Sequence, residues 1–160
     1  MLTRYDWSPY WWHGVYIGGV GMYCAQYLND VRGQGWNFEP IWVGPQAPCT
    51  GGEFAYTFNY DPGTAFSQGQ SEAVNAYDQL LNLGFAIGAA GTPAMYDLEA
   101  FNTSDSACVS AVAAFIEGWM NQLHVTPAQL AGVYGSTCGS SLPSSWGSGA
   151  RRRTSCSPSS

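Results

Sequence analysis

Residues 94–101 of this 160-residue chain read AMYDLEAF, an apolar run that ends in two carboxylates spaced two residues apart. Side chains at positions i and i+2 of a β-strand point to the same side. Asp97 and Glu99 are therefore expected to project together from the end of a short strand over 94–98. This pair is catalytic, binds a cation, or is an ordinary solvated strand end.

The segments around this strand continue an alternation of strands and helices. Three more short β-prone runs predict strands, at 15–19, 38–44 and 130–134. Helical spacing of apolar residues predicts three helices, over 27–34, 64–83 and 104–124. Thr64 is the expected N-cap of the second helix, and Gly84 lies just beyond its end. Apolar strands that alternate with helices are typical of a parallel α/β sheet.

Candidate functional residues lie where these strands end. In parallel α/β folds the functional groups gather at the carboxyl ends of the strands. The residues at those ends are Tyr16, Trp42, Gln46, Asp97, Glu99 and Tyr134. Any one aromatic ring fills a core as readily as it stacks on a sugar. Together with Tyr96, however, the set places four aromatic residues around one acidic pair, which favours a lined groove that binds carbohydrate.

The acidic pair itself allows two kinds of chemistry. Neighbouring carboxylates repel each other, so the pKa of at least one is expected to rise, as glycoside hydrolysis requires of its acid. The rival use is a loosely held Ca²⁺ or Mg²⁺ ion, for which Asp105 is the only further acidic ligand nearby. A Ser-His-Asp triad is not expected, because the chain has no GxSxG motif.

Composition excludes several classes of partner. The net charge is −6, with five Arg residues and no Lys, so a nucleic-acid partner is not expected. The five cysteines have no CxxC spacing and there are only two His, which argues against a zinc site. Scattered cysteines in an acidic chain that is rich in Trp favour an oxidising compartment.

The remaining features concern the ends of the chain. No apolar stretch reaches the ~18–20 residues of a membrane-spanning helix, and the first residues lack the apolar core of a signal peptide. We expect no membrane insertion, and an extracellular or cell-wall location with an export signal outside this sequence. Residues 141–160 are mostly Ser, Gly and Arg, which predicts a disordered tail after a domain over 1–140.

Five segments together resemble a known bacterial family. They are VYIGG (15–19), PIWVGPQAPC (40–49), FSQGQSEAVNAYDQLLNLGF (66–85), MYDLEAF (95–101) and LAGVYGS (130–136). The chain resembles the glycoside-hydrolase-like domain called domain-of-unknown-function family 1906, which is similar in fold to the family 25 lysozymes. The resemblance implies a TIM-type (β/α)8 barrel with parallel strands. The four predicted strands would be its second to fifth, so the barrel is incomplete here.

The resemblance also implies roles for individual residues. By position, Glu99 would be the general acid and Asp97 the group that orients or stabilises the reacting sugar. Tyr16, Trp42, Gln46 and Tyr134 would bind the substrate, which is expected to be peptidoglycan. No cofactor is implied. The aspartate that usually ends the first barrel strand is absent, so a carbohydrate-binding module without catalysis, or an inactive truncated fragment, is the alternative to a muramidase-like hydrolase.

The barrel order implies disulfide partners as well. Cys24 and Cys49 follow neighbouring barrel strands, and a Cys24–Cys49 bridge is predicted. Cys108 would pair with Cys138, or with a cysteine of the first barrel strand that this sequence lacks.

Overall fold

A computed structural model describes residues 9–19, 21–22, 25–88, 90–125 and 128–135 of the chain. Its strands are β1 (Trp12–Gly19), β2 (Gly21–Met22), β3 (Asn37–Val43), β4 (Ala94–Leu98) and β5 (Ala131–Gly135). Its helices are α1 (Ala25–Gly33), α2 (Pro62–Asn82) and α3 (Ser106–Val125). All four predicted strands and all three predicted helices are thus confirmed, and their ends differ from the predicted ones by up to three residues.

The strands form one mixed sheet in the order β2-β1-β3-β4-β5. β1, β3, β4 and β5 run parallel to one another, as predicted. β2 was not predicted; it pairs with β1 in the antiparallel sense. Four parallel strands in an open sheet, joined through helices, are consistent with an incomplete (β/α) barrel.

The start of α2 corrects one prediction. The N-cap is Asp61 rather than Thr64, because the Asp61 carboxylate accepts a hydrogen bond from the Thr64 backbone N–H (2.9 Å) and Pro62 occupies the first turn. At the other end, Gly84 has a φ of +69°, as expected for the residue that follows a helix. The backbone at the beginning of α3 is capped by Asp105, which accepts hydrogen bonds from two backbone N–H groups.

The core lies between the sheet and the α2–α3 layer. Tyr96 of β4 packs edge-on against Phe115 and Trp119 of α3, and all three are fully buried. The two helices approach closely at a pair of glycines. A Cβ on Gly69 would come within 2.0 Å of the Phe115 carbonyl oxygen, and one on Gly118 would come within 2.1 Å of the Phe66 carbonyl oxygen. Glycine is therefore required at both positions for this helix contact.

Three predictions fall outside the described residues. They are the tail over 141–160 and the positions of Cys24 and Cys138. No helix within the described part of the chain is long and apolar enough to cross a lipid bilayer.

Candidate functional site

Successive side chains of β4 alternate between the two faces of the sheet. Tyr96 faces the helices, since its ring contacts α3. Asp97 is the next residue along the strand and therefore faces the opposite side, which would be the interior of a barrel. Tyr134 of β5 pairs with Asp97 and shares that face. Acidic and aromatic groups thus meet at the carboxyl end of the sheet.

The two carboxylates of the pair differ in exposure. Asp97 is only 6% exposed, whereas the side chain of Glu99 is exposed to solvent. Burial, reinforced by the negative charge of Glu99, raises the pKa of Asp97 to about 6. The expectation that repulsion within the pair raises one pKa is met at Asp97, and burial is the larger cause.

A buried glutamine holds the backbone between the two acids. Gln46 is 2% exposed, and its Nε2 donates a hydrogen bond to the Asp97 carbonyl oxygen (2.9 Å). Its Oε1 accepts a hydrogen bond from the Glu99 backbone N–H, also at 2.9 Å. Nε2 makes a further bond to the Gly44 carbonyl oxygen (3.2 Å). The loop after β3 is thereby joined directly to the acidic strand end.

The same loop is attached to β4, to the segment between β4 and α3, and to α3 by three further contacts. The Tyr96 hydroxyl donates to the Pro45 carbonyl oxygen (2.6 Å), and the Asn102 N–H donates to the Cys49 carbonyl oxygen (3.2 Å). A disulfide joins Cys49 to Cys108 at the start of α3. The predicted pairing of Cys49 with Cys24 is therefore wrong, because the chain beyond β4 brings Cys108 to the Cα–Cα distance of 6.1 Å that a disulfide allows.

A buried acid beside the candidate site, Glu72 of α2, was not predicted to take part in it. Its carboxylate is buried and accepts hydrogen bonds from the Trp42 indole N–H (2.7 Å) and from the Tyr56 hydroxyl (3.3 Å). These bonds orient Trp42 and attach the loop after β3 to α2. The signal was present in the sequence, since an acid at position 72 interrupts the apolar stripe of α2, which carries Ala65, Ala76 and Leu80 at helical spacing.

The four residues predicted to bind substrate fall into two groups. Tyr16 and Tyr134 are 39% and 47% exposed, on the face that carries Asp97. Trp42 faces the helices and its ring lies over Gly18, where a Cβ would approach to 2.2 Å. Trp42 and Gln46 are buried, and this burial argues against direct contact with a sugar.

The described side chains around the acidic pair do not support the alternative that the pair binds a metal ion. Across the described ranges, no group of three or more His, Cys, Asp or Glu side chains is arranged to hold a metal ion. Asp105, the further acid considered from the sequence, instead caps α3 and accepts a hydrogen bond from the Tyr60 hydroxyl (3.1 Å).

Comparison with known families identifies the kind of domain to which this parallel α/β sheet belongs. Residues 6–157 match the family described as Rv2525c-like, glycoside hydrolase-like domain. This chain belongs to that family. The matched range is longer than residues 15–136, which contain the five segments quoted above.

A solved structure supports the fold of this glycoside hydrolase-like domain. The chain is similar to an uncharacterized B. stearothermophilus protein whose crystal structure was determined at 1.07 Å, with a TM-score of 0.53 and 18% sequence identity. The likeness covers 83% of this chain and 52% of that one, so the chain spans about half the length of its structural relative. At this identity the likeness concerns the fold alone. No curated protein matches the chain.

Proposed function

We propose that this domain acts on cell-wall polysaccharide, with peptidoglycan as the substrate, and that Asp97 and Glu99 are its catalytic acidic pair. The observation that carries the proposal is the contrast within the pair. One carboxylate is buried and the other is exposed two residues further on, at the end of the sheet where α/β enzymes bind ligands. The kinship with family 25 lysozymes is part of this proposal.

The difference in solvent exposure between Asp97 and Glu99 assigns their two catalytic roles. A general acid must contact the glycosidic oxygen, and Glu99 is the exposed member of the pair. Glu99 donates its proton to the leaving oxygen as the glycosidic bond breaks, and Asp97 stabilises the positive charge that develops on the sugar ring. Water then adds to the sugar carbon, and the proton it releases restores the acid. This division of roles requires Glu99 to carry the proton and Asp97 the negative charge.

The exposed tyrosines supply the binding surface. Tyr16 and Tyr134 present aromatic rings on the face of the sheet that carries Asp97. Aromatic faces pack on the C–H faces of sugars, so these two rings are proposed to flank the sugar that is cleaved. Two carboxylates suffice for this chemistry, and no cofactor takes part in it.

The proposed substrate fits an extracellular or cell-wall location. The Cys49–Cys108 disulfide is of the kind that persists in oxidising compartments. Peptidoglycan lies in such a compartment, outside the bacterial membrane.

The test uses purified peptidoglycan and the full-length protein. Loss of turbidity reports cleavage, and co-sedimentation with the insoluble glycan reports binding. Wild type should bind and clear the suspension, whereas Glu99→Gln should bind normally and clear it at least ~100-fold more slowly. Glu117→Gln makes the same change at an exposed position of α3 and should behave as wild type. Binding without clearing by wild type would favour a carbohydrate-binding module instead.

A further inference from the structure

Gln46 makes an unusual pair of contacts with the acidic strand end. The ladder between β3 and β4 pairs Ile41 with Met95 and Trp42 with Tyr96, and β3 ends at Val43. If this pairing continued for two more residues along both strands, Gly44 would lie opposite Leu98. The side-chain amide of Gln46 bonds the carbonyl before Leu98 and the N–H after it.

These two bonds reproduce the pattern of a parallel β-ladder. In such a ladder, one residue donates its N–H to a carbonyl of the neighbouring strand and accepts from the N–H two residues further along. The amide of Gln46 does the same with the Asp97 carbonyl and the Glu99 N–H. It therefore acts as a surrogate strand residue opposite Leu98.

We infer that Gln46 is a positioning residue that sets the relative orientation of the Asp97 and Glu99 carboxylates. The peptide groups on both sides of Leu98 are fixed by one rigid amide, and these groups determine the directions in which the side chains at 97 and 99 leave the backbone. This assignment replaces direct sugar contact as the role of Gln46, and it rests on the proposed function for its catalytic consequence.

The anchor of Gln46 is itself rigid. Its backbone N–H donates to the Tyr56 carbonyl oxygen (2.9 Å), and its carbonyl accepts from the Phe58 N–H (3.0 Å). The Cys49–Cys108 disulfide fixes the same loop three residues further on. Because its own backbone is held in this way, the Gln46 side chain can fix the position of the strand end that it contacts, rather than move with it.

A second buried glutamine provides the matched control. Gln129 bonds the Gly88 N–H through Oε1 (2.7 Å) and the Thr92 carbonyl oxygen through Nε2, in the loops that precede β4 and β5. It is 1% exposed, so it resembles Gln46 in burial and in bonding. Gln129→Met removes two bonds of the same kind, but at the amino ends of the strands, whereas the acidic pair lies at their carboxyl ends.

The test measures amide hydrogen exchange by NMR in the full-length protein. In wild type the Glu99 N–H should be protected although its side chain is exposed. In Gln46→Met, which keeps the volume, and in Gln46→Asn, which shortens the reach, exchange of this N–H should rise at least ~10-fold relative to the amides of β5. Gln129→Met should leave it unchanged. An unprotected Glu99 N–H in wild type, or equal protection in the Gln46 variants, would overturn the inference.

A second readout separates positioning from simple loss of stability. The titration midpoint of the Asp97 carboxyl, followed by NMR, should fall by about one unit in Gln46→Met, because the strand end opens to water, and stay unchanged in Gln129→Met. An unaltered midpoint in Gln46→Met contradicts the inference. If these shifts appear while Glu99→Gln clears peptidoglycan as fast as wild type, Gln46 positions the pair and the proposed hydrolysis is wrong.

Discussion

Asp97 of β4 pairs with Tyr134 of β5 in the parallel ladder, so a buried carboxyl group and an exposed phenol ring share one face of the sheet. Paired residues of neighbouring strands are close enough for both to contact one small ligand. In the proposed function, this pairing brings the carboxyl group that takes part in the chemistry beside an aromatic ring that binds the sugar.

Removal of the Tyr134 ring should weaken binding to the glycan. The Tyr134→Ala variant loses an aromatic contact, and contacts of this size are worth about 0.5–1.5 kcal/mol, or roughly a 2- to 12-fold change in Kd. Tyr134→Phe keeps the ring and should bind within about twofold of wild type. Co-sedimentation with purified peptidoglycan measures both, and equal binding by the Ala variant would remove Tyr134 from the binding surface.

The raised pKa of Asp97 makes stability depend on pH. The folded protein holds the Asp97 proton up to about pH 6, whereas the unfolded chain releases it near the ordinary value of 3.8. The contribution of this group is therefore present below pH ~4 and is lost as the pH rises to about 6. The Asp97→Asn variant lacks this loss.

Urea unfolding at pH 4 and pH 7 tests this dependence. Relative to wild type, Asp97→Asn should gain at most about 3 kcal/mol of unfolding free energy between the two pH values. Glu117→Gln, which changes an exposed acid, serves as the control. A parallel pH dependence of wild type and Asp97→Asn would show that Asp97 is not the buried, destabilised acid described here.

The Cys49–Cys108 disulfide should contribute substantially to stability. It closes a loop across a sequence separation of 59 residues, for which chain entropy predicts about 4 kcal/mol. The double variant Cys49→Ser/Cys108→Ser should lose about 2–4 kcal/mol of unfolding free energy under non-reducing conditions. Each single variant should lose a similar amount. Unchanged stability of the double variant would mean that the two sulfurs are not bonded.

The close contact of α2 and α3 predicts a sharp difference between two glycines. Gly69→Ala would bring a methyl group to 2.0 Å from the Phe115 carbonyl oxygen, so the helices must separate, at a cost of about 1–3 kcal/mol or more. Gly33→Ala, at the end of α1, meets no atom within 4 Å and should be neutral or slightly stabilising. Thermal unfolding of the two variants measures the contrast. Equal melting temperatures would contradict the packing of these helices.

Local sequence signals predicted most of the fold. The run at 94–98 became β4 with the same bounds, since a short, largely apolar run that follows a turn is typical of a buried strand. The parallel order followed from the alternation of strands and helices. The N-cap of α2 was misplaced by three residues although Pro62, typical of a first helical turn, indicated Asp61.

The contacts that build the site could not be predicted from the sequence. Gln46 and Glu99 are 53 residues apart, and Trp42 and Glu72 are 30 apart, so these bonds depend on the packed geometry of the loop after β3. The predicted disulfide of Cys49 was wrong for the same reason. Barrel order suggested neighbouring strands for Cys49, but its partner lies at the start of α3. Asp97 and Glu99 could be proposed as a pair because their spacing of two residues is local.

The central claim is that Asp97 and Glu99 form one catalytic site, and a double-mutant comparison tests it most directly. The initial rate of reducing-end release from purified peptidoglycan would be measured for wild type, Asp97→Asn, Glu99→Gln and the double variant, all as full-length protein. Groups that act as a unit are non-additive, so the double variant should be no slower than the slower single variant, with Glu99→Gln reduced at least ~100-fold. Wild-type rates in either single variant, or losses that multiply in the double variant, would contradict the claim.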